Sequence, residues 1–334
     1  MVLNMNKLIF LLMMVLSTLI VMNANNWLGM WMGMEMNLMS FIPLISKSKN
    51  KNTSQAMMTY FLTQSLGSMI LLFSVVMNPL IMIKFNFENM WIKDMTMLSL
   101  TIKLGAAPFH WWLPNMMSNM NWTECFILMT WQKLAPLTML SNLNPSSKIL
   151  NLTIILSGLA GSIGGMNQTS IRKLLAYSSI NHLGWMMMFV SMSNSWYKYL
   201  IIYSMLMGLI CYMLNFKNMY FLNQLMTNSP SMMEKFTMTM TLLSIGGLPP
   251  FIGFLPKWMV IQSMINSELF LMLMIMLMLS LITLFYYMRM MINYILMFST
   301  MNKWMMFKYI NINFLYLNIS VNIMLPVFLV LNFF

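Results

Sequence analysis

The sequence predicts an all-α fold: a polytopic transmembrane helical bundle of about eleven spans, with inverted five-helix repeats and broken helices. Three observations predict it. Of 334 residues, 60% are hydrophobic and only 7% charged, against about 25% charged in a typical soluble domain. Apolar runs of about 20 residues, the length that crosses a bilayer, recur between polar interruptions. A Gly/Pro motif in the fourth run returns in the ninth. With 18 basic and 6 acidic residues, most of the surface must face lipid rather than water. No ten-residue alternating segments of a membrane β-barrel occur. Cys125 and Cys211 stand alone, which excludes a disulfide scaffold and any metal or redox spacing. The excess of +12 is scattered singly between apolar runs, so the bilayer is the expected partner and nucleic acid is not.

The elements follow in chain order. Lys7 precedes an apolar run from Leu8 to Met22 with no small-residue cleavage site after it, so 3–22 reads as the first span rather than a signal peptide. No Arg- and Ser-rich transit peptide is seen, and an organellar protein of this kind is expected to be made inside its organelle. Further spans are expected at 27–45, 56–77, 95–113, 124–141, 149–166, 173–191 and 197–217. The run 236–265 is too long for one straight helix and contains Gly246, Gly247, Pro249, Pro250 and Pro256, so it reads as a single broken span. Spans at 268–288 and 313–333 complete the set. Residues 1–334 thus form one integral membrane domain, with a first repeat at about 3–141, a second at about 149–288 and a C-terminal span at 313–333. The 51 methionines serve as flexible apolar filler.

Alternate assignment of loops puts Lys7, Lys47, Lys49, Lys51, Arg172, Lys173, Lys217, Lys235, Arg289, Lys303 and Lys308 on one side and Lys84, Lys93, Lys148 and Lys198 on the other. Lysine and arginine accumulate on the inner face. The N-terminus is therefore expected inside and the C-terminus opposite.

Lys103, Lys133 and Lys257 fall inside spans, as does Glu35. Each costs about 2.5–3.5 kcal/mol at a helix centre, so the four together oppose insertion by about 10–14 kcal/mol. Three readings of these charges stand. Lys257 near a span end snorkels to the headgroups; a buried Glu-Lys pair is purely structural; or the four line an ion pathway. Lysine suits proton relay because its protonation responds readily to burial and to a nearby carboxylate. His182 and His110, the only histidines, are each either a hydrogen-bonded packing residue or a relay. Glu88, Asp94, Glu124, Glu234 and Glu268 lie at span ends or in loops and are expected to be solvated or interfacial.

Residues 105–114 read GAAPFHWWLP and residues 247–256 read GLPPFIGFLP, identical at five of ten positions without gaps. Five spans apart means opposite directions through the bilayer. Interrupted helices at matching places in inverted repeats point to a transport site, here with breaks at Gly105 and Pro108 and at Gly247, Pro249 and Pro250. Pro136 is expected to loosen the fifth span similarly. No dinucleotide fingerprint, Walker A motif, iron–sulfur cysteine cluster or haem histidine pair is present. Energy for transport must come from a partner or an ion gradient.

The segments GMEMNLMSFIPLI, KLGAAPFHWWLP, TWQKLAP, GMNQTSIRKLLAYSSINHLGWM and LLSIGGLPPFIGFLPKW, in that order over residues 33–258, resemble the subunit 2 family of mitochondrial NADH-ubiquinone oxidoreductase. These are antiporter-like membrane subunits of respiratory complex I. The resemblance implies that Glu35, Lys103, Lys133 and Lys257 occupy the family's glutamate and three lysine positions on a central hydrophilic axis, with His182 near it. It implies proton translocation driven by redox chemistry in partner subunits. It further implies a multi-pass location in the mitochondrial inner membrane, N-terminus in the matrix and C-terminus in the intermembrane space, among other membrane-arm subunits. The chain itself is expected to bind no cofactor or metal; NADH, FMN, iron–sulfur clusters and ubiquinone belong to the partner subunits. Asn115 departs from the family pattern, in which an acidic residue often follows that turn. A stand-alone cation/proton antiporter and a structural membrane scaffold are the rival readings of the same buried charges.

Overall fold

A computed structural model describes residues 5–46, 51–84, 90–143, 147–192, 195–227, 232–296 and 310–326. Lys47, Lys49, Glu88, Lys303 and Lys308 lie outside them. The elements are α1 (Met5–Asn23), α2 (Trp27–Ile45), α3 (Lys51–Lys84), α4 (Met90–Leu104), α5 (Trp112–Met117), α6 (Trp122–Met129), a 3₁₀ turn (Trp131–Lys133), α7 (Leu134–Leu143), α8 (Ser147–Met166), α9 (Ile171–Ser191), α10 (Trp196–Lys217), α11 (Leu222–Thr227), α12 (Met232–Gly246), α13 (Phe254–Asn266), α14 (Phe270–Leu296) and α15 (Ile312–Ile323). Among the described residues no strand forms, apart from an isolated bridge between Ser170 and Phe221.

All eleven expected windows are helical, whole or in halves, over their described residues. Five contain unbroken helices long and apolar enough to cross a membrane: Trp27–Ile45, Lys51–Asn78, Lys148–Met166, Trp196–Lys217 and Phe270–Ile292. The fourth, fifth and ninth windows are split. The seventh, α9, is more polar, yet every residue from Leu174 to Val190 is buried. Its neighbours are protein on all sides, so Ser178, Ser179, Asn181 and His182 never meet lipid. In contrast, α14 exposes Met274, Met278, Leu281, Phe285 and Met288 along one face and buries Met276, Leu279, Thr283, Tyr286 and Tyr287 on the other. In a bilayer the apolar stripe faces outward, because hydrocarbon solvates it and every backbone group is already bonded within the helix.

The chain divides into two compact units, one of Met1–Met120 and Trp131–Ser157, the other of Asn121–Thr130 and Gly158–Phe334. The division runs through the fifth window. Its first half, α6, packs on α10 in the second unit, while α7 packs on α4 in the first.

Two breaks are built alike. At the end of α4, Gly105 has φ +69°; its N–H bonds Ile102 O at 3.2 Å and the Ala106 N–H bonds Thr101 O at 3.1 Å. At the end of α12, Gly247 has φ +81°; its N–H bonds Ser244 O at 3.0 Å and the Leu248 N–H bonds Leu243 O at 3.3 Å. Both are Schellman closures, in which a left-handed residue just past the helix lets the next two amides satisfy its last carbonyls; glycine reaches that conformation without a Cβ penalty.

Several expectations are corrected. The fifth window breaks at Thr130–Lys133, ahead of Pro136, which lies in the first turn of α7. There a missing N–H costs nothing, so this proline starts a helix rather than loosening one. Glu124 and Glu234 are buried, with only 5% and 1% of their surface exposed. The Glu124 carboxylate accepts the Asn121 backbone N–H and side-chain amide, both at 3.1 Å, and so caps α6. Glu234 pairs with Lys217. Lys217 and Lys235, placed in loops by the sequence reading, are buried as well, whereas Asp94 is half-buried and Glu268 exposed.

Candidate functional site

In the first unit, Lys103 and Lys133 sit at helix ends rather than mid-helix. Lys103 is in the last turn of α4 and Lys133 closes the 3₁₀ turn. Both are buried, at 6% and 2% exposure. The unpaired carbonyls at a helix C-terminus carry about half a negative charge, which favours an ammonium that has lost its water. Three groups stabilise this end of α4. Gln64 of α3 donates to Lys103 O at 3.1 Å, and the Trp112 indole donates to Ile102 O at 3.2 Å. The aliphatic stem of Lys103 lies on the α3 backbone at Gly67, where a Cβ would come within 2.9 Å of Lys103 Cγ.

Glu35 is carried by α2, which packs on α3. No direct ion pair joins Glu35 to Lys103 among the described residues. One carboxylate oxygen, Oε1, is buried and has no hydrogen-bond partner among them. A buried acceptor of this kind is ordinarily met by water. The Tyr60 hydroxyl donates to Gln132 Oε1 at 3.3 Å, and Gln132 Nε2 donates to Asn37 Oδ1 at 3.0 Å. Asn37, Gln132 and Tyr60 therefore link α2, the broken fifth window next to Lys133 and α3. Asn37, Tyr60, Gln64 and Gln132 were missed by the sequence reading. Asn37 lies two positions from Glu35 and Gln132 adjoins Lys133, but neutral side chains of these types recur throughout the apolar runs, so the sequence did not single them out. His110 lies on the break loop after the cis Ala107–Pro108 bond. It is half-buried and stacked on Trp111 at 5.1 Å.

In the second unit, Lys257 emerges from α13 and folds back across the break, where Nζ donates to Gly246 O at 2.8 Å. It is 4% exposed and does not snorkel. A Cβ on Gly247 would lie 2.6 Å from that nitrogen, so this glycine serves both the turn and the lysine. The motif repeat does not superpose the two lysines: Lys103 precedes its left-handed glycine by two positions and Lys257 follows its own by ten. Each nonetheless ends beside the C-terminus of the helix preceding its break. His182 Nδ1 is 2.8 Å from the Tyr199 hydroxyl, with the Tyr203 ring 4.8 Å away. Its helix, α9, packs against α13.

The chain is similar to known proteins over most of its length. The family model for the transmembrane part of NADH:quinone oxidoreductase and Mrp antiporters matches residues 24–283. The NADH-ubiquinone oxidoreductase chain 2 of Locusta migratoria is 42% identical over 307 residues, covering 90% of this chain and 89% of that one. That of Anopheles gambiae is 44% identical over 308 residues, covering 89% and 88%. Among solved structures, a chain of respiratory complex I from Thermus thermophilus with bound aureothin superposes with TM-score 0.84 at 20% identity, covering 97% of this chain and 78% of that one. A chain of the Mrp complex from Dietzia sp. DQ12-45-1b gives TM-score 0.75 at 14% identity, covering 84% and 59%. The two structural likenesses carry the fold, and the insect relatives carry the closer assignment. This chain belongs to the NADH-ubiquinone oxidoreductase chain 2 family, within the NADH:quinone oxidoreductase and Mrp antiporter membrane proteins.

Proposed function

We propose that the chain is the proton-translocating membrane subunit of NADH-ubiquinone oxidoreductase, moving protons along Glu35, Lys103, Lys133 and Lys257 while redox chemistry proceeds in partner subunits. The observation that carries this reading is the placement of the three lysines. Each is buried and each sits beside a helix interruption, and at the second break Lys257 rests on the Gly246 carbonyl, which favours the charged form. A lysine so held gains and loses a proton with small rearrangements of its neighbours. Glu35 supplies the bias, since bringing its carboxylate nearer Lys103 favours the ammonium and withdrawing it releases the proton. Lys103 then exchanges with Lys133, and protons pass on toward Lys257 and an exit, with His182 beside α13 and His110 on the first break as further carriers. The two five-helix repeats, at about 3–141 and 149–288, supply the paired breaks at Gly105 and Pro108 and at Gly247, Pro249 and Pro250.

NADH, FMN, iron–sulfur clusters and ubiquinone are assigned to partner subunits. The protein is placed in the mitochondrial inner membrane, with its N-terminus in the matrix and its C-terminus in the intermembrane space by the lysine and arginine count.

The test is the proton yield of the assembled complex in sealed inner-membrane vesicles. Lys103→Met and Lys257→Met are expected to assemble and to lower protons moved per NADH oxidised; full pumping by both would refute the axis and leave the scaffold reading. A stand-alone cation/proton antiporter is the second reading, favoured by the likeness to the Mrp chain. The native mass after mild detergent extraction separates the two. A large assembly that oxidises NADH supports the subunit, whereas a monomer or dimer that exchanges Na⁺ or K⁺ for protons in proteoliposomes supports the antiporter.

A further inference from the structure

Three helices of the second unit meet at one membrane face. Helix α9 has 21 residues, about 30 Å at 1.5 Å per residue and so the thickness of the hydrocarbon core. Its C-terminal end and the start of α10 therefore lie at the level of the lipid headgroups. Tyr197, exposed in the first turn of α10, suits that level, where an aromatic ring has lipid on one side and water on the other. Helices α9, α10 and α13 pack on one another, and their ends border a cavity of about 340 Å³, a size that takes a small ligand group.

The start of α10 contributes Ser195 and Lys198 to this cavity, and the end of α13 contributes Gln262, Ser263 and Asn266. Phe189 of α9 and Met259 of α13, both buried, supply its apolar part. None of these residues is acidic; Glu268, two positions beyond Asn266, is exposed and does not line the cavity. Ser195 makes no side-chain capping bond to α10. Lys198 stands in the first turn of that helix, whose end is already positive, a place that disfavours a cation and calls for an anion. The Gln262 and Asn266 amides each add two N–H donors.

Toward the middle of the membrane the same helices turn apolar faces outward. Ile201 and Met205, three and seven positions after Lys198, share its face of α10 and are both exposed. On α13, Trp258 lies four positions before Gln262 and is exposed as well.

We propose that this cavity is a binding site for the headgroup of an anionic phospholipid, whose acyl chains lie along the exposed faces of α10 and α13. The phosphate pairs with the Lys198 ammonium as a charge-assisted contact, and the Gln262 and Asn266 amides take its remaining oxygens. The charge balance selects the class of lipid. A zwitterionic headgroup brings an ammonium of its own, which finds no carboxylate among the described lining residues, whereas a net negative headgroup matches a basic pocket at the membrane surface. The apolar faces select a lipid over a free phosphate, because they give the acyl chains a surface that a soluble anion does not use. Bound there, the headgroup ties the start of α10 to the end of α13.

The experiment uses the assembled complex, stripped of lipid in mild detergent and returned to bicelles that contain a phosphatidylglycerol with a photoactivatable group in its acyl chain. Labelling mapped by peptide mass spectrometry is expected on α10 between Tyr197 and Met205 and on α13 between Trp258 and Asn266. Unlabelled phosphatidylglycerol should displace it, whereas phosphatidylcholine and inorganic phosphate should not. Lys198→Gln is expected to lower this labelling about tenfold, the loss of one charge-assisted contact, and Lys198→Arg should keep most of it. Lys148 is exposed and lies outside the cavity, so unchanged labelling of Lys148→Gln shows that the effect is not one of surface charge in general. Displacement by phosphatidylcholine overturns the anionic specificity, and displacement by inorganic phosphate overturns the lipid. Equal labelling of Lys198→Gln and the unmodified chain refutes the site, as does a map of the complex in which a neighbouring subunit's side chain fills the cavity.

Discussion

Gln132 spends its amide on two partners, Asn37 of α2 and Tyr60 of α3, beside a lysine with 2% of its surface exposed. Gln132→Leu keeps the bulk and removes both bonds, leaving Asn37 Oδ1 buried without its donor. The variant should lose about 1–3 kcal/mol, the range for a buried polar group left unmet, and should also pump fewer protons per NADH. Thermal inactivation of the complex checks the first effect and the proton yield the second; unchanged values for both would show the bridge to be incidental. The charged members of this cluster were legible in the sequence because a lysine or glutamate in an apolar run is conspicuous on composition alone. The neutral members were not. Asn, Gln, Thr and Tyr occur throughout these runs, and only the folded chain shows that Gln132 reaches residue 37 and residue 60. Glu234 and Glu124 were misread for the opposite reason. Position at a span end suggested solvent, but Lys217 and the Asn121 amide lie close enough to replace it.

The breaks are where element and charge are coupled. Gly246 and Gly247 are neighbours in sequence and unlike in consequence. A Cβ at Gly246 meets nothing closer than Tyr287 at 3.7 Å, whereas one at Gly247 lies 2.6 Å from Lys257 Nζ on a residue with φ +81°. Gly247→Ala should therefore cost about 1–2 kcal/mol for the left-handed conformation and displace the ammonium from the Gly246 carbonyl. Its pumping should fall toward that of Lys257→Met, with Gly246→Ala near normal. The ratio of protons moved to NADH oxidised in the two variants reads this directly, and equal ratios would separate the turn from the lysine. The ninth window was recognisable as broken from Gly246, Gly247 and its three prolines. The fifth break was assigned to Pro136, since proline is the residue most often blamed, yet α6 stops at Met129 with no proline before it. What the sequence does not display is that α6 packs with α10 and α7 with α4, a tertiary demand that no local propensity encodes.

At the scale of the whole chain, Lys133 belongs to one compact unit and Lys257 to the other, and replacing both tests whether they act in series or in parallel. Independent sites contribute additively, and coupled sites do not. If protons travel one axis through both, interrupting it twice is no worse than interrupting it once. The proton yield of Lys133→Met with Lys257→Met should then equal that of the more impaired single variant. If each unit carried protons separately, each single variant would keep the other's share and the double variant would lose both. Lys133→Met also tests the scaffold reading, because methionine matches the lysine stem in length and suits an apolar interior better. A scaffold would keep its proton yield and gain stability on that change, while the axis loses pumping even as stability rises. Measuring thermal inactivation and proton yield on the same three variants distinguishes these outcomes, and a double variant that falls well below both singles would exclude a single series path.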